Sequence, residues 1–422
     1  MSFLHRSFNN LNSIYFHSLT TYLQEGLALG YDMGRKVMLV RGGTLGPNSG
    51  IGGAHHALVE TLAAGNVSGW SLHGVEEYHL GARPSAFRRV SQRWFSHPRR
   101  IQRLSKNQTS VDLIHITDQE QAHLVPRNSA IPTVVTVHDL FHLFPEVKTF
   151  GQSKVEIGQS RPSSVRRRDL RKLREGLARA DLLLCDSKST LAACKMHFPN
   201  INAVWLPLGL SMERFDPSQA NQASASSPAQ HLRRACHLLI VGSHDPRKRM
   251  DFLFKVLGSL HAEVKQELHI HHVGNPNSPT GAPSIVELAT AHSIPHFTAH
   301  GGDLSDTALM DMRFASEALL FPSISEGFGY PPIEAMATGT PVLCSNEASH
   351  NELMPEGTCL PADDAEAWRT ALLGVHQGWK QRTSSDEDHR WPDANKTLVA
   401  HAHSFDMKAY NQRTCDAYNS LF

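Results

Sequence analysis

No apolar run in this 422-residue chain approaches the ~20 residues that a helix needs to cross a bilayer, so a membrane-spanning anchor is not expected. The opening Met1-Ser-Phe-Leu-His-Arg6 has no apolar stretch followed by a small-residue cleavage site, and a secretion signal is not expected either. Cysteine is sparse. Its six residues, at 185, 194, 236, 344, 359 and 415, are scattered without a Cys-x-x-Cys pair, which argues for a reducing cytoplasm over a disulfide framework. Net charge is nearly absent at +1, and no strand-like run is followed by an Asp-x-Asp pair that would hold a metal. What remains is an ordinary globular composition on a chain long enough for roughly two domains.

The neutrality joins two unequal halves. Residues 1–215 hold 26 Lys and Arg against 16 Asp and Glu, while the remainder holds 15 against 24. Much of the basic excess lies in two runs. The first, Arg83 to Lys106, carries Arg88, Arg89, Arg93, Arg99, Arg100 and Arg103 around Phe87, Trp94 and Phe95, with no acidic residue. Basic residues interleaved with aromatics suit an anionic membrane surface, each contributing about 1 kcal/mol near the headgroups. A peripheral position on the inner face of a membrane is therefore expected for a cytoplasmic protein. Nucleic acid competes for such patches in general but is not the expected partner here. The second run, Arg161 to Arg179, reads equally as a solvated helix face.

Short apolar runs bracketed by polar or helical sequence alternate along the chain, as in parallel sheets covered by helices. Residues 36–41, 112–117, 133–137 and 181–185 form one set; 237–241, 268–273, 318–321 and 341–344 form another. Between the sets lies Pro217-Ser-Gln-Ala-Asn-Gln-Ala-Ser-Ala-Ser-Ser-Pro-Ala-Gln230, polar and without periodicity, which reads as a linker or insertion. The expected fold class is α/β, with two similar doubly wound domains facing across a cleft. They would span 1–215 and 233–402, joined by 216–232, with a final helical segment at 403–422. Ligands of such sheets bind outside the carboxyl ends of the strands.

The most informative stretch is Phe321-Pro-Ser-Ile-Ser-Glu-Gly-Phe-Gly-Tyr-Pro-Pro-Ile-Glu-Ala-Met-Ala-Thr-Gly-Thr-Pro-Val342. A strand, a glycine turn and a helix start, with Pro331 and Pro332 in the first turn, make an anion cradle of unpaired N–H groups at a positive dipole end. Glu326 and Glu334 flank that turn, so a ligand bearing both phosphates and hydroxyls fits it. Upstream, Val241-Gly-Ser-His-Asp-Pro-Arg-Lys-Arg-Met250 places Arg247 and Lys248 between a strand and a helix, where they can hold a diphosphate. In the first half, Thr136-Val-His-Asp-Leu140 puts His138 and Asp139 at a strand end. Ser49-Gly-Ile-Gly-Gly53 is a glycine turn before a helix.

Taken together, these motifs resemble the retaining glycosyltransferases of family 4, which have the GT-B fold of two Rossmann-like domains. The segment Pro-Ser-x-x-Glu-Gly-Phe-Gly-x-Pro-x-x-Glu-Ala-Met-Ala-x-Gly-x-Pro-Val of that family is matched here at every stated position. The resemblance implies that Glu326 binds the hydroxyls of the transferred sugar, helped by the Gly327-Phe328-Gly329 backbone, and that Glu334 binds the ribose. It implies that Arg247 and Lys248 hold the diphosphate and that His138 approaches the sugar from the first domain. Gly52 and Gly53 would approach the phosphates through backbone N–H groups; Gly53 stands where the family commonly has arginine. Ser243 likewise stands where one family variant has arginine. On the acceptor side Asp139, His115, Asp118 and Gln119 are candidates.

The implied activity is metal-independent hexosyl transfer with retention, from a nucleotide diphosphate sugar to a hydroxyl of a glycan or lipid-linked acceptor, with no cofactor. The motif variants look most like bacterial mannosyltransferases, which makes GDP-mannose the expected donor. Sucrose- or trehalose-type synthases, sugar-nucleotide epimerases and a non-catalytic nucleotide-sugar-binding protein are the alternatives.

Overall fold

The computed structural model describes residues 34–46, 49–81, 84–107, 110–150, 153–218, 235–302, 304–384 and 394–422. Most of the expected lead-in at 1–34 and of the linker at 216–232 lies outside the described residues.

The first sheet has six strands: β1 (Arg35–Gly43), β2 (Trp70–Tyr78), β3 (Leu113–Ile116), β4 (Thr133–Val137), β7 (Leu182–Cys185) and β8 (Asn202–Trp205), in the order β2-β1-β3-β4-β7-β8. Every pairing in it is parallel. Between β4 and β7 the chain throws out an antiparallel hairpin, β5 (Glu146–Phe150) with β6 (Ser153–Ile157). The second sheet is also all parallel, β11-β10-β9-β12-β13, from β9 (Cys236–Val241), β10 (Leu268–Val273), β11 (Phe297–Ala299), β12 (Ala318–Phe321) and β13 (Val342–Cys344).

The central strands are the apolar runs of the sequence, because a parallel strand covered on both faces must be apolar throughout. In β1, Val37 and Leu39 enter one cluster and Met38 and Val40 another, so the two-residue period feeds both faces of the sheet. The strands that the apolar pattern missed, β2, β8 and β11, are all at sheet edges, where half-buried positions accept residues such as Ser71 and Glu76 and the exposed start of β8 accepts Asn202.

The helix Met407–Asn419 crosses back onto the first sheet. Its Tyr418 hydroxyl meets His115 Nδ1 at 2.7 Å, and Asn411 and Asn419 accept from Thr61 Oγ1 and Trp70 Nε1. Gly209 lies at the crossing point, where a Cβ would come within 2.7 Å of Met407 Sδ and Tyr410 Cβ. One apolar cluster runs from Val37 through Tyr410 and Tyr418 to Phe328 and Leu319, tying the two sheets together.

Candidate active site

Glu326 is the centre of the second-domain wall. It follows β12 in a loop knitted to the 3-10 turn Pro246–Lys248, with Ile324 N donating to Arg247 O at 2.9 Å and Arg247 Nη1 to Ser325 O at 2.7 Å. Its carboxylate lies 2.5 Å from Lys248 Nζ on one oxygen and 2.5 Å from Arg247 Nη1 on the other, and Ser323 Oγ donates to it at 2.7 Å. Burial by itself raises the Glu326 pKa, but Arg247 and Lys248 outweigh it and hold the carboxyl well below its usual range. Burial lowers the Lys248 pKa, against the pull of Glu326. Arg247 also lies 3.6 Å from Asp245, so the two cations face two carboxylates, and the Lys248 ammonium stands over the Phe321 ring at 4.9 Å.

The turn ends in an unusual residue. Arg249 takes a left-handed φ of 51°, fixed by a hydrogen bond to Ala362 O and by the rings of Phe150 and Phe252 at 4.3 and 4.6 Å. Strain of that kind persists only where its surroundings enforce it. Gly242, at φ 138°, lies where a Cβ would come 3.5 Å from Lys248 Nζ, and Ser243 is exposed beside it.

Beyond Glu326, Gly327 touches the other domain: a Cβ there would sit 2.1 Å from the carbonyl oxygen of His138. Gly329, at φ 107°, caps the helix Tyr330–Ala337. Phe328 packs its ring against Tyr330 and Phe405, so only its backbone faces the loop. Glu334, on that helix, is held by the buried Arg313, which also faces the Phe215 ring.

The first-domain wall is made of strand ends. Val137 pairs with Cys185 across β4 and β7, so the next residues, His138 and Asp186, become neighbours. His138 Nδ1 donates to Asp186 Oδ2 at 3.0 Å, its Nε2 lies 3.3 Å from Thr117 O, and its backbone N–H donates to Gln119 Oε1. Burial opposes charge on His138, but Asp186, with Asp118 and Asp139, outweighs it and raises the pKa. Burial pushes Asp186 up to about 6 despite its histidine partner. Asp118 caps the 3-10 turn Gln119–Leu124 and lies 3.8 Å from Arg41. Asp139 accepts from Phe141 N, and burial raises its pKa although Arg247 is near.

Three sequence candidates, His115, Gly52 and Gly53, have their polar groups engaged within the first domain and the helix packed on it. His115 is buried, with both ring nitrogens engaged by Tyr418 and Thr136, and burial brings its pKa down to about 3; it packs the sheet instead of facing an acceptor. Gly52 and Gly53 have their N–H groups engaged by Ser49 Oγ and Ser49 O at the start of the helix Gly50–Ala63. Among the described residues no cluster of metal-ligating groups forms; the chain's one Asp-x-Asp, Asp386-Glu387-Asp388, lies outside them.

Several contributors were not singled out from sequence. Arg313 acts through Glu334 on a neighbouring helix, and no local pattern marks it. Ser323 lies inside the Pro-Ser-x-x-Glu segment, and Asp186 in the strand-end pair Asp186-Ser187, a less informative match to the family. The β5–β6 hairpin reaches across from the first domain: Lys148 Nζ meets Glu347 at 2.5 Å and Ile324 O at 2.7 Å, and Ile157 packs on Ile324 and Ala362. Glu352 returns the contact by accepting from Lys188 N at 2.6 Å, at the start of the helix Lys188–His197.

Comparison with known proteins places this arrangement. The family profile "Glycosyl transferases group 1" matches residues 234–387 and "Glycosyltransferase Family 4" matches 61–214. A D-inositol 3-phosphate glycosyltransferase of Catenulispora acidiphila is 29% identical over 221 residues, 50% of this chain and 49% of that protein. An MMP alpha-(1->4)-mannosyltransferase of Mycolicibacterium hassiacum is 32% identical over 175 residues, 40% and 38% of the two chains. The chain thus spans about half or less of the curated relatives it matches. Among solved structures, sucrose-phosphate synthase from Thermosynechococcus elongatus superposes with a TM-score of 0.63 at 19% identity, covering 92% of this chain and 99% of that one, a likeness of fold. One profile on each half, over two facing parallel-sheet domains in the GT-B arrangement, identifies the chain as a member of the family 4 glycosyltransferases.

Proposed function

We propose that this protein transfers a hexose from a nucleotide diphosphate sugar to a hydroxyl of a glycan or lipid-linked acceptor, with retention at the anomeric carbon and without a metal. One observation carries the reading: buried Glu326, held by Arg247 and Lys248, ends in a glycine turn that abuts His138 of the opposite domain. Breaking a sugar–diphosphate bond leaves negative charge on the β-phosphate. Arg247 and Lys248 are preorganised cations in a dry site, where such charge is stabilised most. Glu326 stays ionised and accepts from the sugar hydroxyls. Glu334, oriented by Arg313, accepts from the ribose hydroxyls. His138, whose pKa Asp186 raises, stands in the facing wall with its ring fixed between Asp186 and Thr117 O. No carboxylate other than Glu326 is assigned to the sugar, so retention fits same-face attack, the acceptor hydroxyl passing its proton to the leaving phosphate while positioning supplies much of the rate.

The name of the M. hassiacum relative supports mannose as the sugar, and GDP-mannose is the proposed donor. The likeness to sucrose-phosphate synthase keeps a soluble sugar acceptor as the second reading. Purified protein offered a panel of nucleotide sugars, with lipid-linked and soluble acceptors in parallel, should release nucleoside diphosphate from one donor. Glu326→Ala and Lys248→Ala should each abolish it. Silence with every donor and acceptor would overturn the transferase reading, and release that requires magnesium or manganese would overturn the metal-free part.

A further inference from the structure

The two basic runs of the sequence meet on one side of the first domain. The first forms the helix Ala86–Ser91, a π turn at Gln92–Ser96 and the helix His97–Asn107; the second forms the helix Ser164–Leu177. Asp169 is the clasp between them. It accepts from Arg93 Nε and Nη2 at 3.0 and 2.9 Å, from Trp94 Nε1 at 3.1 Å and from Arg166 Nη1 at 2.8 Å. These inner cations are neutralised and structural.

The outer ones are not. Arg88, Arg89, Arg99, Arg167 and Arg168 are exposed and form no ion pair among the described residues. The acids on this side, Glu76 and Glu175, are matched to Arg100 and Arg171. Arg167, Arg168 and Arg171 with Ser164 line a shallow pocket. Apolar side chains stand out in the same place. Eight large apolar residues are exposed among the described residues, and four of them, Phe87 at 82%, Val90, Phe95 and Val165, lie on the helices and π turn of these two runs. Lys172 Nζ faces the Trp94 and Phe95 rings at 4.9 and 5.9 Å.

We propose that this two-helix face docks on an anionic phospholipid membrane, with Phe87 and Phe95 entering the headgroup boundary and the unpaired arginines meeting lipid phosphates. Exposed rings beside uncompensated cations are the chemistry of an interfacial surface. Position supports it too: His97 Nε2 donates to Arg41 O at the end of β1 and Arg93 reaches Gln121, so the face borders the first-domain side of the cleft. A bilayer there would deliver a lipid-linked acceptor to the site. The inference draws its purpose from the proposed acceptor class, but the binding itself does not depend on transfer.

Sedimentation of the full chain with vesicles tests it. Phosphatidylcholine vesicles containing about a third phosphatidylglycerol should bind at least about tenfold more tightly than phosphatidylcholine alone, and added salt should erase the difference. Phe87→Ser with Phe95→Ser should lower binding about tenfold, and Arg167→Gln with Arg168→Gln should reduce the anionic preference by about threefold or more. Neither pair should change nucleotide release with a soluble acceptor. Equal binding to both vesicles, variants that bind like the parent, or an RNA oligomer preferred over vesicles would each overturn the proposal. A protein that binds anionic vesicles yet releases no nucleotide keeps this surface and loses the proposed activity.

Discussion

The two walls of the cleft are charged in different ways. The second-domain wall concentrates three full charges, Arg247, Lys248 and Glu326, within contact distance. The first-domain wall spreads its charge over separate strand ends: His138 meets Asp186 at 3.0 Å, Asp118 lies 3.8 Å from Arg41, and Asp139 accepts from Phe141 N. Gln119 and Thr117 contact His138 as neutral partners. Under the proposed activity, the second-domain wall meets a diphosphate, a task that needs permanent cations. Under that same activity, orienting a sugar and its incoming hydroxyl suits groups that each face one partner.

The largest effect should come from opening the charged wall. Glu326→Gln keeps the shape but leaves the buried Lys248 without its anion and Arg247 with Asp245 alone at 3.6 Å. Turnover of the donor should fall about 10²–10³-fold, and the thermal midpoint should drop with a cost of about 3–5 kcal/mol. Unchanged turnover would show that the charges only hold the fold. Asp186→Asn breaks the other wall more gently. Asp186 raises the His138 pKa, so its loss should let the proton leave at lower pH. A roughly tenfold rate loss with an alkaline limb displaced toward acid is expected; a uniform loss at all pH values would make the pair merely structural. The stability linked to His138 has the same sign: it is present below the ordinary histidine pKa and is lost as pH rises through the raised one.

Arg313→Ala should be milder still, freeing Glu334 and raising the donor KM several-fold with little change in kcat, since ribose binding is shared by ground and transition states. A fall in kcat alone would contradict that assignment. The second domain also carries neutral buried histidines on β10, where burial lowers His269 and His272 to about 4 and His271 further. Their depressed pKa values mean that the unfolded chain binds more protons below about 6.5. Thermal midpoints should therefore fall as pH drops from 6.5 toward 4, and His271→Gln should flatten the slope. Lys148→Ala, which removes one bridge of the hairpin to Glu347, should have the smallest effect, a shift in donor KM of about twofold to fivefold.

The contrast between the walls also explains what could be read beforehand. Arg247, Lys248, Glu326 and Glu334 lie in two short contiguous motifs, because a loop that wraps a diphosphate must be locally continuous. The first-domain wall is assembled from single residues at 41, 118, 138 and 186, joined only by strand register. His138 was visible through its motif, whereas the strand-end pair Asp186-Ser187 is a less informative match, and the contact of Asp186 with His138 needs the register of β4 and β7. His115 was misleading for the same reason: a histidine at a strand's inner position looks like one at its end until Tyr418, three hundred residues on, is seen to cover it. The edge strands and the β5–β6 hairpin escaped notice because partly exposed strands carry polar residues.

The helix Met407–Asn419 has a consequence for how the chain comes to be. The first domain's sheet leaves the ribosome early, yet its covering over His115 and Trp70 is supplied by residues translated after both sheets. Until they emerge, that face stays open and the half-finished chain presents an apolar surface to chaperones. A premature stop near residue 406 should therefore spoil the domain farthest from it in sequence and leave the second one comparatively intact.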